Sequence, residues 1–357
     1  MQNDLKMFQT PVFYARFPVS GLAPTEVDAL LENGWSRSDV NLCTTLVHSV
    51  EGGWRASLML RLPLRDFTFK KRFRKVMRRN GRIFQTRIRP FQPSEEKENI
   101  WQVFKKNIHH WRFVSTLESH LFKEQNPAGF QSWEVAVYDG SRLVGFSVFD
   151  RGAASLASLE AAYDPAYAKY SPGMHTMLAE IEYAMQQGLS FYYPGFIPKD
   201  TPMFEYKLRP GGLEFFRIKT QEWLPWDRLE KSDWVFDEVF EKLRLLQAFL
   251  ACGQRKARLA TGHFLNWPGI VPSLTDYNFF LLYPYPLVEK PDLCIAIGWN
   301  PFAAHFQVFQ ARLFTDYQPG NDDLEMKIIL VYAVSESTYC GAFENVFEVL
   351  NYLPPSR

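Results

Sequence analysis

The chain has 357 residues, a formal net charge of +1, and 46% hydrophobic against 22% charged residues. This composition is typical of an ordinary globular protein and excludes a highly charged, disordered chain. The length suits two domains, or three, each with a sizeable core.

The sequence also bears on compartment and redox state. No apolar run is long enough to span a bilayer, and residues 1–6 lack the features of a signal peptide. We therefore expect a cytoplasmic protein without a membrane partner. Four widely separated cysteines, with no CxxC pair, predict neither a local metal site nor a disulfide framework. They are Cys43, Cys252, Cys294 and Cys340.

The first part of the chain predicts a mixture of helix and strand. Pro24 suits the first position of a helix that Asn33-Gly34 would end. Residues 43–64 are strand-like, most clearly at Ser57–Leu62. This part therefore predicts an α+β region.

The sharpest change in composition lies at residues 68–81. Asn80-Gly81 is a stop signal for a helix there, and its apolar face would consist of Phe69, Phe73, Val76 and Met77. Around that face lie seven cations and no acid, namely Lys70, Lys71, Arg72, Arg74, Lys75, Arg78 and Arg79. Like charges on one helix repel, so this cluster predicts a polyanionic partner. Nucleic acid is favoured over a face neutralised by acids from elsewhere in the fold.

The middle of the chain predicts two strands, a helix and a further strand. Leu143–Asp150 is the first strand, and a second apolar run ends before Asp164-Pro165. Leu189–Tyr193 is a short strand after the helix, and Met203–Leu208 is predicted to be extended.

The start of that helix has the features of a ligand site. Ser171 is a suitable N-cap, Pro172 suits the first helical position, and Gly173 allows a ligand to approach the backbone. Free N–H groups at a helix start can hold a phosphate or a developing oxyanion. The arrangement is similar to the acyl-donor site of GNAT-type acyltransferases.

The character of the chain changes from about residue 221. Ser232-Asp233 starts a long helix that is predicted to continue to about Thr261-Gly262, and aromatic-rich strands follow. We expect an α+β extension with its own apolar core, and no chemical motif is apparent in it. The predicted divisions are an N-terminal α+β region with the basic helix (1–95), a catalytic domain (96–220) and the C-terminal extension (221–357).

Several short blocks occur in a specific order and spacing. They are LLENGWSRS at 30–38, RLPLRDF at 61–67 followed by the basic helix, VFD at 148–150, YDP at 163–165, SPG at 171–173, YPGF at 193–196 and YK at 206–207. Together they resemble the arginyl- and leucyl-tRNA–protein transferases, which have a GNAT-like fold. The resemblance implies an α+β, GNAT-like acyltransferase fold with a central mixed sheet. The family's N-terminal cluster of four cysteines is reduced to Cys43, which indicates a changed acceptor specificity.

The resemblance implies transfer of an amino acid from charged tRNA to an amine of a protein or peptide, without a cofactor or a metal. Asp150 is expected to hold an ammonium group or act as base, with Tyr163, His175, Tyr206 and Lys207 as further catalytic candidates. The aminoacyl pocket is expected to involve Ser171, Gly173, Tyr193 and Gly195. The tRNA contacts are expected from Lys70, Lys71, Arg72, Arg74, Lys75, Arg78, Arg79 and Asn80.

Two other functions stay open. One is a GNAT N-acyltransferase that uses acyl-CoA, although Ser171-Pro172-Gly173 is a poor pyrophosphate-binding turn and the basic helix exceeds what one CoA needs. The other is a non-catalytic tRNA-binding or adaptor protein. Retention of Asp150, Tyr206 and Lys207 argues mildly against a protein that only binds RNA.

Overall fold

A computed structural model describes residues 14–50, 53–108, 115–123, 129–130, 132–262, 279–284, 293–313, 330–332 and 334–354. The first described elements are one helix and a three-stranded antiparallel sheet. They are β1 (Tyr14–Pro18), α1 (Pro24–Glu32), β2 (Ser36–Ser38) and β3 (Asn41–Thr45). Pro24 stands at the start of α1, where a backbone N–H would lack a partner in any case.

A nine-stranded mixed sheet forms the centre of the molecule. Its strands are β4 (Val47–Val50), β5 (Gly53–Pro63), β6 (Gln85–Pro90), β7 (Ser132–Asp139), β8 (Arg142–Arg151), β9 (Ser155–Tyr163), β10 (Phe191–Pro198), β11 (Glu214–Arg217) and β12 (Glu222–Pro225). The spatial order is β12-β11-β5-β10-β9-β8-β7-β6, and β4 pairs with β5. Strands from both sides of residue 95 share this sheet, so the predicted boundary there does not separate two sheets.

Helices cover both faces of the central sheet. They are α2 (Lys71–Gly81), α3 (Glu95–Ile108), α4 (Leu117–Phe122) and α5 (Pro172–Gln186). Val148 of β8 belongs to the core around α3 and α4, whereas its neighbour Phe149 belongs to the core around α2 and α5. Because successive side chains of a strand point to opposite faces, the two pairs of helices lie on opposite sides of the sheet.

The parallel pair β9 and β10 separates early. Helix α5 joins the two strands, and they pair only between Phe191–Tyr193 and Ser155–Ala157. Beyond those residues both strands continue, and β10 has an irregularity against β5 between Tyr192 and Gly195. Gly195 has a φ of +82°, which favours glycine, so its backbone can bend away from β9. The result is an opening between two neighbouring strands in the middle of the sheet.

The C-terminal extension packs on the central sheet through one helix. Its elements are α6 (Val235–Cys252), β13 (Arg258–Gly262), β14 (Phe279–Pro284), β15 (Leu293–Asn300), β16 (His305–Leu313), β17 (Leu330–Tyr332), β18 (Val334–Phe343) and α7 (Val346–Tyr352). The strands form a six-stranded sheet in the order β17-β13-β14-β15-β16-β18. Met59 and Tyr193 of the central sheet share one core with Leu243 of α6 and Ile297 of β15. Helix α6 therefore lies between the two sheets.

The α+β class, the central mixed sheet and the C-terminal α+β extension predicted from the sequence are confirmed. Two local predictions are wrong. Residues predicted to be extended form a 3₁₀ helix, Pro202–Leu208, and α6 ends at Cys252 because the chain turns at Gln254, whose φ is +58°. In the part of the chain that the structure describes, no helix is long and apolar enough to cross a membrane.

Candidate active site

Lys207 lies where β9 and β10 separate. It stands on the Pro202–Leu208 helix, and its Nζ donates a hydrogen bond of 2.8 Å to the carbonyl oxygen of Phe196 on β10. A Cβ atom placed on Gly195 would lie 3.5 Å from this Nζ and 3.9 Å from the carbonyl oxygen of Ser158 on β9. The ammonium group is therefore held beside the bend of β10, at the opening between the strands.

A buried carboxylate, Glu180 of α5, belongs to the same region. Its side chain is 0% exposed, and its Oε2 accepts a hydrogen bond of 2.8 Å from the hydroxyl of Tyr192. Burial raises the pKa of Glu180 to about 7, although the hydroxyls of Ser147, Tyr192 and Ser158 and the charge of Lys207 partly oppose this rise. Glu180 Oε1 and Ser147 Oγ make no hydrogen bond of good geometry to any described residue. The nearby hydroxyl of Ser147 nevertheless lowers the pKa of the carboxyl group.

A second carboxylate, Glu160 of β9, lies on the α3 side. Lys105 Nζ lies 3.1 Å from its Oε2, and His120 Nε2 lies 2.9 Å from its Oε1. Burial alone would raise the pKa of Glu160. The charge of Lys105 and the hydrogen bond from His120 outweigh burial and lower that pKa to about 2. Glu160 is therefore a fixed negative charge at neutral pH.

These groups set the protonation of Lys207. Burial lowers the pKa of Lys207 to about 8, against the charges of Glu160 and Glu180, which raise it. Burial also raises the pKa of Tyr206 to about 12, together with the same two carboxylates. Burial and the charge of Lys207 lower the pKa of His48 on β4 to about 4. A lysine whose pKa is near the working pH can take up a proton from a substrate amine.

The structure places Gly195 beside Lys207, which follows Tyr206 in the chain, and it places Asp150 elsewhere. Asp150 is buried and forms a bidentate ion pair with Arg37 of β2, with Nε–Oδ2 at 2.6 Å and Nη2–Oδ1 at 3.0 Å. The hydroxyl of Ser132 donates to Oδ1 at 2.7 Å. Both carboxylate oxygens are thus engaged by groups that attach the small sheet to the central one.

The predicted pocket at the start of α5 has a different geometry. Ser171 occupies the predicted N-cap position, but it has a φ of +55° and a ψ of 58°, and its side chain makes no cap hydrogen bond. The cause is the preceding 3₁₀ helix Pro165–Tyr170, which ends at Ser171 and places its backbone in the left-handed region. A Cβ on Gly173 would be 3.8 Å from Tyr163, an ordinary contact.

His175 lies one turn into α5, away from Lys207. Its Nε2 is 3.0 Å from the hydroxyl oxygen of Thr86 on β6, and burial, with the charge of Arg79, lowers its pKa to about 4. His175 is therefore neutral at physiological pH and contacts the edge of the sheet. Its predicted catalytic role is not supported by a neighbouring reactive group.

Tyr163 and Tyr193 both pack in cores. The ring of Tyr163 lies 4.8 Å from that of Phe104 on α3. Tyr193 is 2% exposed and faces α6, whereas its neighbour Tyr192 faces α5. The family resemblance indicated Tyr193, whereas its neighbour Tyr192 is the tyrosine whose hydroxyl donates to Glu180.

The basic cluster lies on the outer surface of α2. Within the described residues, none of its seven predicted cations forms an ion pair, so no acid from elsewhere in the fold neutralises it. Lys70 Nζ and Arg72 Nη2 donate to the carbonyl oxygen of Arg209, at 3.4 and 2.8 Å. Asn80, by contrast, is fully buried and donates to the carbonyl oxygen of Tyr170 at 3.0 Å, so it anchors the helix.

The sequence prediction missed Glu180, Tyr192, Glu160 and His48. For Glu180 a signal existed, because it lies three residues after Met177 and four before Ala184, on the apolar stripe of α5. A carboxylate on a buried helix face requires a partner or a raised pKa. The position alone would thus have identified Glu180 as a candidate.

The arrangement contains a half-buried lysine whose pKa is lowered, two carboxylates and two tyrosines, at an opening between parallel strands. No group of three His, Cys, Asp or Glu side chains within the described ranges is arranged to hold a metal ion. A helix that joins two parallel strands, with a polar site where they part, defines a GNAT-like acyltransferase fold.

Comparisons with known proteins agree with this class. Residues 86–216 match the family model "Arginine-tRNA-protein transferase, C terminus". The chain is 25% identical over 198 residues to an aspartate/glutamate leucyltransferase of Helicobacter hepaticus, covering 54% of this chain and 80% of that one. It is 24% identical over 160 residues to arginyl-tRNA–protein transferase 1 of Saccharomyces cerevisiae, covering 37% of this chain and 32% of that one. Residues 86–216 are therefore similar to the arginyl-tRNA–protein transferases, the family that the sequence blocks resemble.

Among solved structures, FemX is similar with a TM-score of 0.33 and 10% identity, covering 56% of this chain and 68% of that one. The score is low, and the fold class rests on the strand order described above. Helix α2 lies outside the residues that match the family model.

Proposed function

We propose that this protein transfers an amino acid from charged tRNA to an amine of a protein or peptide and forms an amide bond. Relatives named as leucyl- and arginyltransferases support an aminoacyl-tRNA-dependent reaction. Charged tRNA is the only co-substrate we propose, without a cofactor. The cytoplasm, where charged tRNA is used, is the proposed compartment.

One observation supports the proposal most directly: two cations of the basic surface are hydrogen-bonded to the segment that carries Lys207. Lys70 and Arg72 bond to the carbonyl of Arg209, two residues after Lys207. RNA bound along α2 would thus lie next to the segment that carries the reactive group. Phosphate contacts of this kind position the RNA and carry little sequence information.

The chemistry needs little beyond positioning, because an aminoacyl ester is already activated. The enzyme must hold the ester, supply a neutral amine and stabilise the tetrahedral oxyanion. We assign to Lys207 the removal of a proton from the amine. We assign to Tyr206, whose raised pKa keeps it a hydroxyl donor, a hydrogen bond to the oxyanion. We assign Asp150 to the attachment of the small sheet, since Arg37 and Ser132 occupy both of its oxygens.

A transfer assay tests the proposal. tRNA charged with a mixture of labelled amino acids is incubated with the pure protein and an extract of its own cells. We expect label to move to an acceptor, and prior treatment with RNase should stop this movement. If label moved to the acceptor only when labelled acetyl-CoA replaced the charged tRNA, the protein would instead be the acyl-CoA enzyme. Binding of tRNA without any transfer in the presence of the full extract would favour the adaptor.

The basic helix gives a separate prediction. In a Lys71→Glu/Arg74→Glu/Arg78→Glu variant we expect weaker tRNA binding and a flatter salt dependence, because three exposed phosphate contacts are lost. Each contact contributes roughly 0.7–0.9 to the slope of log K against log salt, so the slope should fall by about 2. Filter binding from low to moderate salt measures it.

The matched control is Lys256→Glu/Arg258→Glu, which reverses two exposed charges in the C-terminal extension. This control should bind tRNA with an unchanged slope. If the α2 variant also kept the parent slope, α2 would not be the tRNA surface.

A further inference from the structure

The C-terminal extension has an open groove at the end of α6, and its walls carry positive charge. The groove has a volume of about 740 Å³. Among the described residues that line it, four are cations and none is an acid, the cations being Arg244, Arg255, Lys256 and Arg258. None of the four forms an ion pair with another described residue. Cations that are not neutralised around a concave surface attract an anionic partner.

An exposed apolar surface borders this groove. Leu245 and Phe249 lie one turn apart on α6, and they are 47% and 38% exposed. Phe347 of α7 is 63% exposed, and its ring packs edge to face on that of Phe249, with 5.6 Å between the ring centres. Arg255 Nη1 donates to the carbonyl oxygen of Leu350 at 2.9 Å, so α7 also borders the groove. Large apolar side chains that lie together on a surface mark an interaction site.

We propose that this surface docks an acidic segment of the acceptor polypeptide. Carboxylates of the segment lie against the four cations, and its apolar side chains lie against Leu245, Phe249 and Phe347. The two kinds of contact are continuous, because Arg244 and Ala248 line the groove and each directly precedes a residue of the apolar surface on α6. This inference rests on the proposed function and adds to it the chemistry of the acceptor.

Charge complementarity favours an acidic polypeptide over the other candidate partners. A second copy of this chain, paired through the same surface, would bring two sets of the same cations together, and like charges repel. Nucleic acid uses aromatic rings as stacking platforms, but the rings of Phe249 and Phe347 are inclined by 67° and pack on one another. Leu245 has no ring on which a base can stack. An acidic segment with apolar side chains satisfies both the cations and the apolar surface.

Helix α6 connects this surface with the candidate active site. Lys199 directly follows β10, in which the carbonyl oxygen of Phe196 accepts a hydrogen bond from Lys207. Lys199 also pairs with Asp237 in the first turn of α6. Ala251, which lines the groove, lies about 20 Å further along the helix at 1.5 Å per residue. An extended chain covers this distance with about six residues, so the docked segment lies at least that far from the acceptor amine.

Binding of synthetic peptides to the full-length protein tests the surface without any need for transfer. The probe is a short fluorescent peptide of glutamate, leucine and phenylalanine, and its affinity is measured by fluorescence anisotropy. A second peptide has serine in place of the apolar residues, and a third has lysine in place of glutamate. We expect only the first to bind well, because the second lacks the apolar contacts and the third is repelled by the cations.

Two variants of the surface should weaken binding of the first peptide. In Lys256→Glu/Arg258→Glu we expect about tenfold weaker binding, because two attractions become repulsions. In Phe347→Ser we also expect about tenfold weaker binding, because an exposed aromatic contact is lost. The side chain of Phe347 is mostly exposed, so its replacement should leave the fold intact, which circular dichroism checks.

Each variant has a matched control elsewhere on the molecule. Lys71→Glu/Arg74→Glu/Arg78→Glu reverses charges on α2, and Val103→Ser removes a side chain of α3 that is 44% exposed. Both controls should bind the first peptide with the parent affinity. Equal binding of that peptide by the parent and by both surface variants would overturn the proposal.

Two further outcomes would also overturn it. Weaker tRNA binding in Lys256→Glu/Arg258→Glu would make the groove an RNA site. Self-association of the parent that Phe347→Ser abolishes would make the surface an interface between copies of this chain.

Transfer to acceptor peptides links the surface to the proposed function. For an acceptor that carries the acidic segment, Lys256→Glu/Arg258→Glu should raise KM about tenfold, because binding of that segment is lost. For an acceptor with serine in place of glutamate, the variant and the parent should have the same KM. Normal transfer with an unchanged KM for the acidic acceptor would contradict the docking surface alone. Peptide binding as expected without any transfer would contradict the proposed function and leave the surface as a site for acidic polypeptides.

Discussion

Replacing Lys207 by methionine is expected to lower the single-turnover rate of amino-acid transfer by about 10²- to 10⁴-fold, the usual contribution of a positioned acid or base. Methionine fills a similar space without placing a charge between β9 and β10. The affinity for tRNA should stay the same, because the cations of α2 are untouched. Quenched-flow transfer of a labelled amino acid, with tRNA binding measured in parallel, provides both values.

Lys219→Met is the control for this experiment, since Lys219 pairs with Glu238 outside the site and should transfer at the parent rate. Lys207→Arg separates two roles, because arginine keeps the positive charge but cannot accept a proton. We expect Lys207→Arg to be as slow as Lys207→Met. Transfer by Lys207→Met within threefold of the parent would overturn the assignment.

Breaking the ion pair between Arg37 and Asp150 is the second change with a large expected effect. Asp150→Asn leaves the guanidinium of Arg37 buried without its counter-charge, and removal of one partner of such a pair costs about 3–5 kcal/mol. The guanidinium is nearly enclosed, 4.4 Å from the centre of the Phe130 ring. We therefore expect a fall of about that size in the free energy of unfolding, measured by urea titration.

The double variant Arg37→Met/Asp150→Leu should recover part of the loss, because it removes both charges together. Asp66→Asn, at an exposed carboxylate, should leave the free energy of unfolding within about 0.5 kcal/mol of the parent. A stable but inactive Asp150→Asn protein would contradict this account and restore Asp150 as a catalytic candidate.

Those parts of the fold that depend on local patterns could be predicted from the sequence. Strand β8 and helix α5 follow their apolar periodicity, and the order of strands around α5 follows from the resemblance. The Pro202–Leu208 helix could not be predicted, because Met203, Phe204 and Tyr206 mix with polar residues much as in a strand. Its 3₁₀ form depends on packing against β10, which the local sequence does not contain.

The site was harder to predict because its partners are distant in sequence. The chain separates Arg37 from Asp150 by 113 residues, so the sequence block containing Asp150 could not reveal that its oxygens are engaged. Lys207 and Tyr206 became catalytic candidates through the resemblance alone. Glu180 was missed, although its place on the apolar stripe of α5 distinguishes it from the exposed Glu182.

The core shared by the two sheets has a consequence for how the protein is made. A ribosome completes residues 86–216, including both strands of the site, before α6 has left the exit tunnel. Until then, the face of β10 that carries Tyr193 lacks the apolar residues that α6 adds to the shared core, whereas the opposite face is already covered by α5. The newly made chain therefore passes through a half-covered state, and the synthesis of α6 ends the period in which that apolar surface is open to chaperones or to aggregation.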